Sequence, residues 1–180
     1  MTDRPPGPGP VAVDILVEAA DWGSEADWRP LVEVAVAATV AAGAFEAPAG
    51  AEVSVVLTDD ARIRVLNRDF RGFDKPTNVL SFPGSDEDED LGPLLGDIVV
   101  ARETAAREAL DEGRPLAHHV SHLIVHGLLH LVGYDHEEEA DAEAMERLET
   151  RILAGLGIPD PYAGTVPETA GGGAIETKAR

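Results

Sequence analysis

A block of three histidines with Gly133 between the last two, His126-Gly-Leu-Leu-His-Leu-Val-Gly133-Tyr-Asp-His136, sets the strictest condition on how this chain folds. His126 and His130 are four residues apart, so a helix places both imidazoles on one face, with Cβ atoms about 5–6 Å apart. An unbroken helix would carry His136 about 15 Å from His126 along its axis. Gly133 stands where a left-handed residue would end the helix and reverse the chain. The spacing therefore predicts a helix that stops at Gly133 and three imidazoles that converge.

Three convergent imidazoles without a fourth protein ligand are typical of an open zinc site. The chain contains no cysteine, which excludes thiolate metal sites, disulfides and cysteine nucleophiles. His126, His130 and His136 are therefore the candidate ligands of one metal ion, and nickel or copper would also accept them. His122, one turn before His126, is a candidate for supporting the ligands. The alternative is that these are ordinary polar residues of an amphipathic helix.

The same spacing is that of a metzincin protease, but one residue departs from the pattern. A metzincin carries a glutamate directly after its first histidine as the general base. Gly127 occupies that position here. A zinc peptidase is therefore a less favoured alternative.

Charge and composition exclude several other classes of function. The chain has 34 acidic and 14 basic residues and a net charge of -20, which opposes unspecific binding to DNA and to anionic membranes. The uncharged stretch 116–134 is long enough for a membrane span, but its histidines argue against one. The first ten residues lack the apolar region of a signal peptide. We expect a cytoplasmic protein with neither a membrane nor DNA as partner.

The apolar patterns predict one α+β domain over residues 11–162, between a disordered Pro/Gly arm at 1–10 and a disordered tail at 163–180. Its fold is expected to be a small mixed β-sheet of about four strands packed with about five helices, with a metal site at the end of a helix. The order of the strands is not predicted. The expected strands are 11–17, 52–57, 78–82 and 98–100, and the expected helices are 28–42, one capped by Thr58 or Asp59, 101–111, 116–132 and 137–154.

Positive charge is concentrated in residues 61–75, which carry Arg62, Arg64, Arg68, Arg71 and Lys75. On a helix, the last three arginines share a face, where guanidinium groups could bind phosphate. Phe70 or Phe73 could stack on an unpaired base. The alternative is a solvated helix face with ordinary ion pairs, and core packing is the more usual role of a residue such as Phe70.

Three blocks of sequence together resemble the YbeY endoribonuclease family, also called the rRNA maturation factor family. They are Leu66-Asn-Arg-Asp-Phe-Arg-Gly-Phe-Asp-Lys-Pro-Thr-Asn-Val-Leu-Ser-Phe82, Leu95-Gly-Asp-Ile-Val-Val100 and the histidine block. The blocks occur in the family's order and the resemblance covers about residues 50–162.

The resemblance implies a single-strand-specific, metal-dependent endoribonuclease that matures the 3′ end of small-subunit rRNA and acts in ribosome quality control. It implies one zinc ion per chain on His126, His130 and His136, and an Arg71 that is required for activity. The implied partners are single-stranded RNA or rRNA, the small ribosomal subunit and an assembly GTPase. Arg64, Arg68 and Lys75 are then the candidate RNA contacts.

A mechanism follows as a hypothesis, in which zinc and Arg71 hold the scissile phosphate and either water or the ribose 2′-hydroxyl attacks. Asp135 is expected to stabilise the turn rather than act as a base. The acidic run at 86–90 predicts weak intrinsic affinity for RNA, because phosphate contacts dominate such binding. A non-catalytic ribosome-assembly factor with a structural zinc is the main alternative.

Overall fold

The computed structural model describes residues 9–86 and 89–163. Apart from residues 9, 10 and 163, the expected N-terminal arm and C-terminal tail lie outside the described residues. So does part of the acidic run, at positions 87 and 88.

Within the described part, the chain forms the expected four strands and five helices, so the α+β fold class is confirmed. A short 3-10 helix (Ala20–Trp22) follows the first strand. The elements are β1 (Ala12–Val17), α1 (Glu25–Ala41), β2 (Glu52–Thr58), α2 (Asp60–Arg71), β3 (Val79–Pro83), β4 (Leu94–Ala101), α3 (Arg102–Asp111), α4 (Leu116–Leu131) and α5 (Glu139–Gly155).

The four strands form one mixed sheet in the order β1-β2-β4-β3. β1, β2 and β4 are parallel, and β3 runs antiparallel to β4 at one edge. Alternate residues of each strand point to opposite faces. Ile98 and Val100 pack in the main core with α1, α4 and α5, whereas Val99 packs with Leu80 and with Ile63 of α2. The helix α2 therefore covers one face of the sheet, and α4 covers the other.

The helix α4 is the centre of the structure, because every residue from 119 to 131 is buried. Its closest approach to the sheet is at Gly127, where a Cβ atom would lie only 2.8 Å from Cγ2 of Ile98. The hydroxyl of Ser81 on β3 donates to the carbonyl of Gly127 at 3.0 Å. The glycine thus allows the backbone of α4 to lie directly on β3 and β4. In the part of the chain that the structure describes, no helix has the length and apolarity needed to cross a membrane.

Three expectations at the level of single elements were wrong. The helix α1 begins at Glu25 rather than Trp28, because Ser24 and Asp27 form a capping box that adds a turn. The strand β4 begins at Leu94 rather than at residue 98, because the ladder with β2 and β3 continues through Gly96. Phe70, whose more usual role would be core packing, is 50% exposed, and its ring packs edge-on against Phe82.

The C-terminal ends of α2 and α4 lie at the same end of the sheet. Phe70, near the end of α2, packs on Phe82 with ring centroids 5.2 Å apart. Leu131, the last residue of α4, adjoins Gly96, and so does the carbonyl of Phe82. The two helix ends are therefore on opposite faces, with the edge strand β3 between them.

Candidate metal centre

The helix α4 ends where the sequence predicted, in a Schellman motif built on Gly133. Gly133 has a φ of 104°, a conformation that side chains disfavour. Its N–H donates to the carbonyl of His130 at 3.1 Å, and the N–H of Tyr134 donates to the carbonyl of Leu129 at 3.0 Å. These two bonds satisfy helix carbonyls and turn the chain away from the helix axis.

The turn that follows is fixed by two side chains. The Tyr134 hydroxyl donates to the carbonyl of Ala44 at 2.7 Å. Oδ1 of Asp135 accepts from the N–H groups of His136 and Glu137 at 2.6 and 3.3 Å. Asp135 therefore stabilises the turn, as the sequence suggested, and the turn returns His136 toward α4.

The structure brings His126, His130 and His136 together. Their ring centroids are 4.7 Å apart for His126 and His130, 5.1 Å for His130 and His136, and 6.0 Å for His126 and His136. One nitrogen from each ring lies within 4.8 Å of the others. His126 and His130 are buried and His136 is exposed, so the cluster is rigid on the helix side and accessible from the turn.

The surroundings of His126 fit a metal ligand. Its Nδ1 donates to the carboxylate of Glu149. Its Nε2 is buried and has no hydrogen-bond partner among the described residues, an arrangement that is costly unless an ion or water uses the lone pair. Burial lowers the pKa of His126, which favours the neutral imidazole that binds metals. The imidazole set suits zinc, nickel or copper.

Glu149 lies behind His126 at the centre of a second group of polar side chains. It is fully buried and accepts from the Tyr162 hydroxyl as well as from His126. Nε2 of His122 lies 3.5 Å from the carboxylate and 3.3 Å from the Tyr162 oxygen. Burial raises the pKa of Glu149, but its hydrogen bonds with His122 and His126 outweigh this effect and hold the pKa well below its usual range. Glu149 thus has a buried hydrogen-bond partner at each of its two carboxylate oxygens.

Sequence reasoning identified His122 but missed Glu149 and Tyr162. A signal for Glu149 existed, because it lies among Met145, Leu148 and Ile152 on the buried face of α5. A single acid in an apolar helical stripe needs a buried partner. Tyr162 follows α5 in a short irregular segment, where no periodicity marks its side chain as buried.

A cavity of about 290 Å³ opens beside these groups. It lies between α3, α4, α5 and the segment after α5. His126 and His136 line it together with His122, Glu149 and Tyr162. Solvent-sized molecules can therefore reach the histidines from this side.

Arg71 is the last residue of α2, on the sheet face opposite to α4. Its guanidinium lies 5.1 Å from the centre of the Phe73 ring and donates to Oδ1 of Asn67 at 3.4 Å. The ammonium of Lys75 lies 5.6 Å from the same ring. The chain directly after α2 therefore carries a half-exposed phenylalanine, Phe73, with two cationic groups near its ring.

The other two arginines predicted to contact RNA are held by acidic neighbours. Nε of Arg64 donates to Asp74 at 2.8 Å, and Nε of Arg68 donates to Asp69 at 2.9 Å. The Arg64 guanidinium lowers the pKa of Asp74. These are the exposed ion pairs that the sequence analysis left open as the alternative, so an RNA-binding role for Arg64 and Arg68 stays a prediction.

Comparison with known proteins places this geometry in a family. The family model described as Endoribonuclease YbeY matches residues 17–157. The protein named Endoribonuclease YbeY from Azorhizobium caulinodans is 55% identical over 152 residues, covering 84% of this chain and 96% of its own length. The protein of the same name from Bradyrhizobium diazoefficiens is 56% identical over 155 residues, covering 83% of this chain and 84% of its own.

A solved structure shares the fold at lower similarity. The solution structure of TM1509 from Thermotoga maritima is 24% identical, with a TM-score of 0.52, and covers 88% of this chain and 99% of its own. The resemblance seen in the three sequence blocks is therefore confirmed along most of the chain. With its histidine cluster at the end of α4, this chain belongs to the Endoribonuclease YbeY family.

Proposed function

We propose that this chain is a zinc-dependent endoribonuclease that cleaves single-stranded RNA. His126, His130 and His136 hold the metal, and Arg71 binds the scissile phosphate. The observation that carries the proposal is the convergence of three imidazoles, one of which, His126, has a buried Nε2 without a hydrogen-bond partner among the described residues. Membership of a family named for endoribonuclease activity supports the reaction class.

The chain's own residues divide the work between the two sides of the β3 edge. A zinc ion, when bound, polarises a phosphate oxygen and offsets the negative charge that develops during cleavage. His126 and His130 are immobile on the buried helix, while the exposed His136 leaves the centre open to RNA. Arg71 supplies a planar guanidinium that can bind a phosphate bidentately.

The positions of the C-terminal ends of α2 and α4 support a path for the RNA across the edge of the sheet. The C-terminal ends of α2 and α4 lie at one end of the sheet, so a scissile phosphate held at the edge of β3 would lie between Arg71 on one side and the histidines on the other. Phe73 is 46% exposed and can stack on an unpaired base. Arg64, Arg68 and Lys75 bind neighbouring phosphates along α2 and the chain that follows it.

The proposed substrate is the 3′ end of small-subunit rRNA within the cytoplasmic small ribosomal subunit, with an assembly GTPase as a further partner. The net charge of -20 supports this choice, because a strongly acidic protein binds free RNA weakly. A ribosomal particle would present the strand and raise its local concentration. The catalytic unit in this proposal is the domain at 11–162.

The geometry at Gly127 argues against the peptidase alternative. The Cβ direction of this residue points into the side chain of Ile98, at 2.8 Å. A glutamate at this position would be directed into the sheet and away from the histidine cluster. Position 127 therefore could not hold the general base that a metzincin carries there.

The test combines metal analysis with cleavage of single-stranded and double-stranded RNA. We expect about one zinc per chain in the wild type and in Arg71→Glu, and a loss of zinc in His130→Ala. Cleavage of single-stranded RNA is expected in the wild type and lost in both variants. Arg147→Glu is the matched charge control, because Arg147 is 74% exposed on α5, and it should cleave normally.

The products and the variants separate the alternatives. A 2′,3′-cyclic phosphate end identifies the ribose 2′-hydroxyl as the nucleophile, and a 5′-phosphate end identifies water. Normal cleavage by Arg71→Glu would exclude the phosphate-binding role. If the wild type binds zinc but cleaves RNA no better than Arg71→Glu and His130→Ala, the structural-zinc alternative is established.

A further inference from the structure

We infer that Glu149 and Tyr162 are positioning residues of the metal centre: Glu149 fixes the ring of His126 through Nδ1, and the Tyr162 hydroxyl fixes Glu149. The inference rests on the proposed function, in which His126 is a metal ligand. It adds a second layer of residues, from α5 and the segment after it, to the three histidines.

The two nitrogens of His126 have different surroundings, and this difference decides the proton's position. Nδ1 faces one carboxylate oxygen of Glu149, and the other oxygen accepts from the Tyr162 hydroxyl; a carboxylate that accepts at both oxygens needs an N–H at Nδ1. Nδ1 therefore carries the proton, and the buried Nε2 presents a bare lone pair. This is the tautomer that a metal ligand binding through Nε2 requires.

The carboxylate that selects this tautomer is itself immobilised. Glu149 is fully buried, and its two oxygens have different partners. Oε1 accepts from His126, while Oε2 accepts from the Tyr162 hydroxyl and lies 3.5 Å from Nε2 of His122. Rotation of the carboxylate would break hydrogen bonds at both oxygens, so Glu149 fixes the plane of the His126 ring.

Tyr162 is in turn held by the segment after α5. Its N–H donates to Oδ1 of Asp160 at 2.8 Å, and the guanidinium of Arg114 donates to the carbonyl of Pro161 at 2.9 Å. A chain of contacts thus runs from the end of α3, through this segment and Glu149, to His126. The conformation of residues 160–162 is therefore expected to influence metal affinity, although none of them is a ligand.

A competing interpretation uses the same atoms. His122, His126 and Glu149 offer ligand atoms that lie within 4.8 Å of one another, so they could hold a second ion. His126 would then bridge two ions through both nitrogens and would lose the Nδ1 proton. This interpretation predicts an ion that remains bound when the first site is removed.

The experiment measures zinc affinity of the intact protein by competition with a chromophoric chelator. We expect Glu149→Gln to weaken zinc binding about 10- to 100-fold, the usual effect of losing such a supporting carboxylate. Tyr162→Phe should give a smaller loss in the same direction. Glu143→Gln removes the same charge from the exposed side of α5, where the Glu143 side chain is 60% exposed beside Arg147, and should bind zinc close to the wild-type affinity.

A second readout needs neither metal nor activity. In the metal-free wild type, ¹⁵N NMR of the imidazoles should show His126 protonated at Nδ1, and Glu149→Gln should shift it toward a mixture of tautomers. Thermal unfolding of each metal-free variant reports whether it is folded. Tyr162→Phe keeps the ring packed and carries the affinity test even where loss of the buried carboxylate prevents folding.

The outcomes that overturn the inference are distinct from those that overturn the proposed function. Unchanged zinc affinity in a folded Glu149→Gln, or equal losses in Glu149→Gln and Glu143→Gln, would refute the positioning role. So would a zinc ion that persists in His130→Ala and disappears on His122→Ala. A wild-type protein that binds no zinc would instead refute the proposed function, while the NMR tautomer still tests the hydrogen bond.

Discussion

Replacing Gly133 by alanine should damage stability and metal binding by separable amounts. The φ of 104° at this position is costly for a residue with a Cβ atom, by about 1–2 kcal/mol. Among the described residues, no atom lies within 4 Å of the added Cβ, so the cost comes from the backbone alone. We expect the free energy of unfolding of the metal-free protein to fall by this amount, with a Tm about 2–8 °C lower.

The metal-dependent effect is added to this loss. Zinc at a free concentration of 100 Kd stabilises a folded protein by about 2.7 kcal/mol, and a tenfold weaker site gains only about 1.4 kcal/mol at the same concentration. Because the Gly133 turn returns His136 to the other two histidines, Gly133→Ala should show this smaller gain. Urea unfolding with and without a fixed free zinc concentration measures both quantities.

Gly50→Ala is the control for backbone strain. Gly50 also has a positive φ, 70°, with no described atom near the position of a Cβ, and it lies in the turn before β2. It should lose a similar amount of intrinsic stability and keep the full gain from zinc. Equal gains in Gly133→Ala and Gly50→Ala would refute the idea that the turn positions His136.

Three further changes test the framework around the site. Asp60→Ala should lower the free energy of unfolding in urea by about 0.5–2 kcal/mol, because Oδ1 of Asp60 accepts from the N–H and hydroxyl of Thr104 at 3.1 and 2.7 Å. If the double variant Asp60→Ala/Thr104→Ala loses the sum of the two single losses, this link is contradicted. Hydrogen bonds from the backbone and hydroxyl of Ser24 lower the pKa of Asp27 from 3.8. The Asp27 carboxylate is therefore protonated more readily in the unfolded chain than in the folded protein. The stability that Asp27 contributes should be present above pH 3.8 and disappear as the pH falls below it. Unfolding curves over this range should be flatter for Asp27→Asn, and an unchanged profile would argue against the capping box. Gly127→Ala should lower the Tm, because overpacking against Ile98 costs about 1–3 kcal/mol and outweighs a gain of about 1 kcal/mol in helix propensity. A higher Tm in this variant would show that α4 can move off the sheet.

The sequence contained the information for the parts of the site that depend on local structure. The i, i+4 spacing of His126 and His130 and the position of Gly133 are both properties of one helix and its end, so the convergence with His136 could be predicted. The cap at Asp59, whose side chain accepts from the N–H of Arg62, is local in the same sense.

The remaining features depend on contacts between distant segments. The strand order β1-β2-β4-β3 is set by which faces and edges pack together, and no periodicity encodes it. The expected strand at 98–100 began after Gly96, yet β4 runs through Gly96 because strands on both sides pair with it. Glu149 acquires its role only when α5 packs against α4. Its buried position could be guessed from the helical stripe, but its partner could not.

Residues 119–131 are completely buried, whereas His136 is exposed. The two parts of the candidate metal centre should therefore differ in how easily they open to solvent. We expect backbone amides in the middle of α4 to exchange with deuterium only when the whole domain unfolds, whereas those of the turn at 135–138 exchange through local opening. Two of the three proposed ligands, His126 and His130, would then belong to the most slowly exchanging part of the protein, and the third, His136, to a part that opens on its own. A bound ion can leave by release of His136 alone, so zinc exchange should be faster than global unfolding.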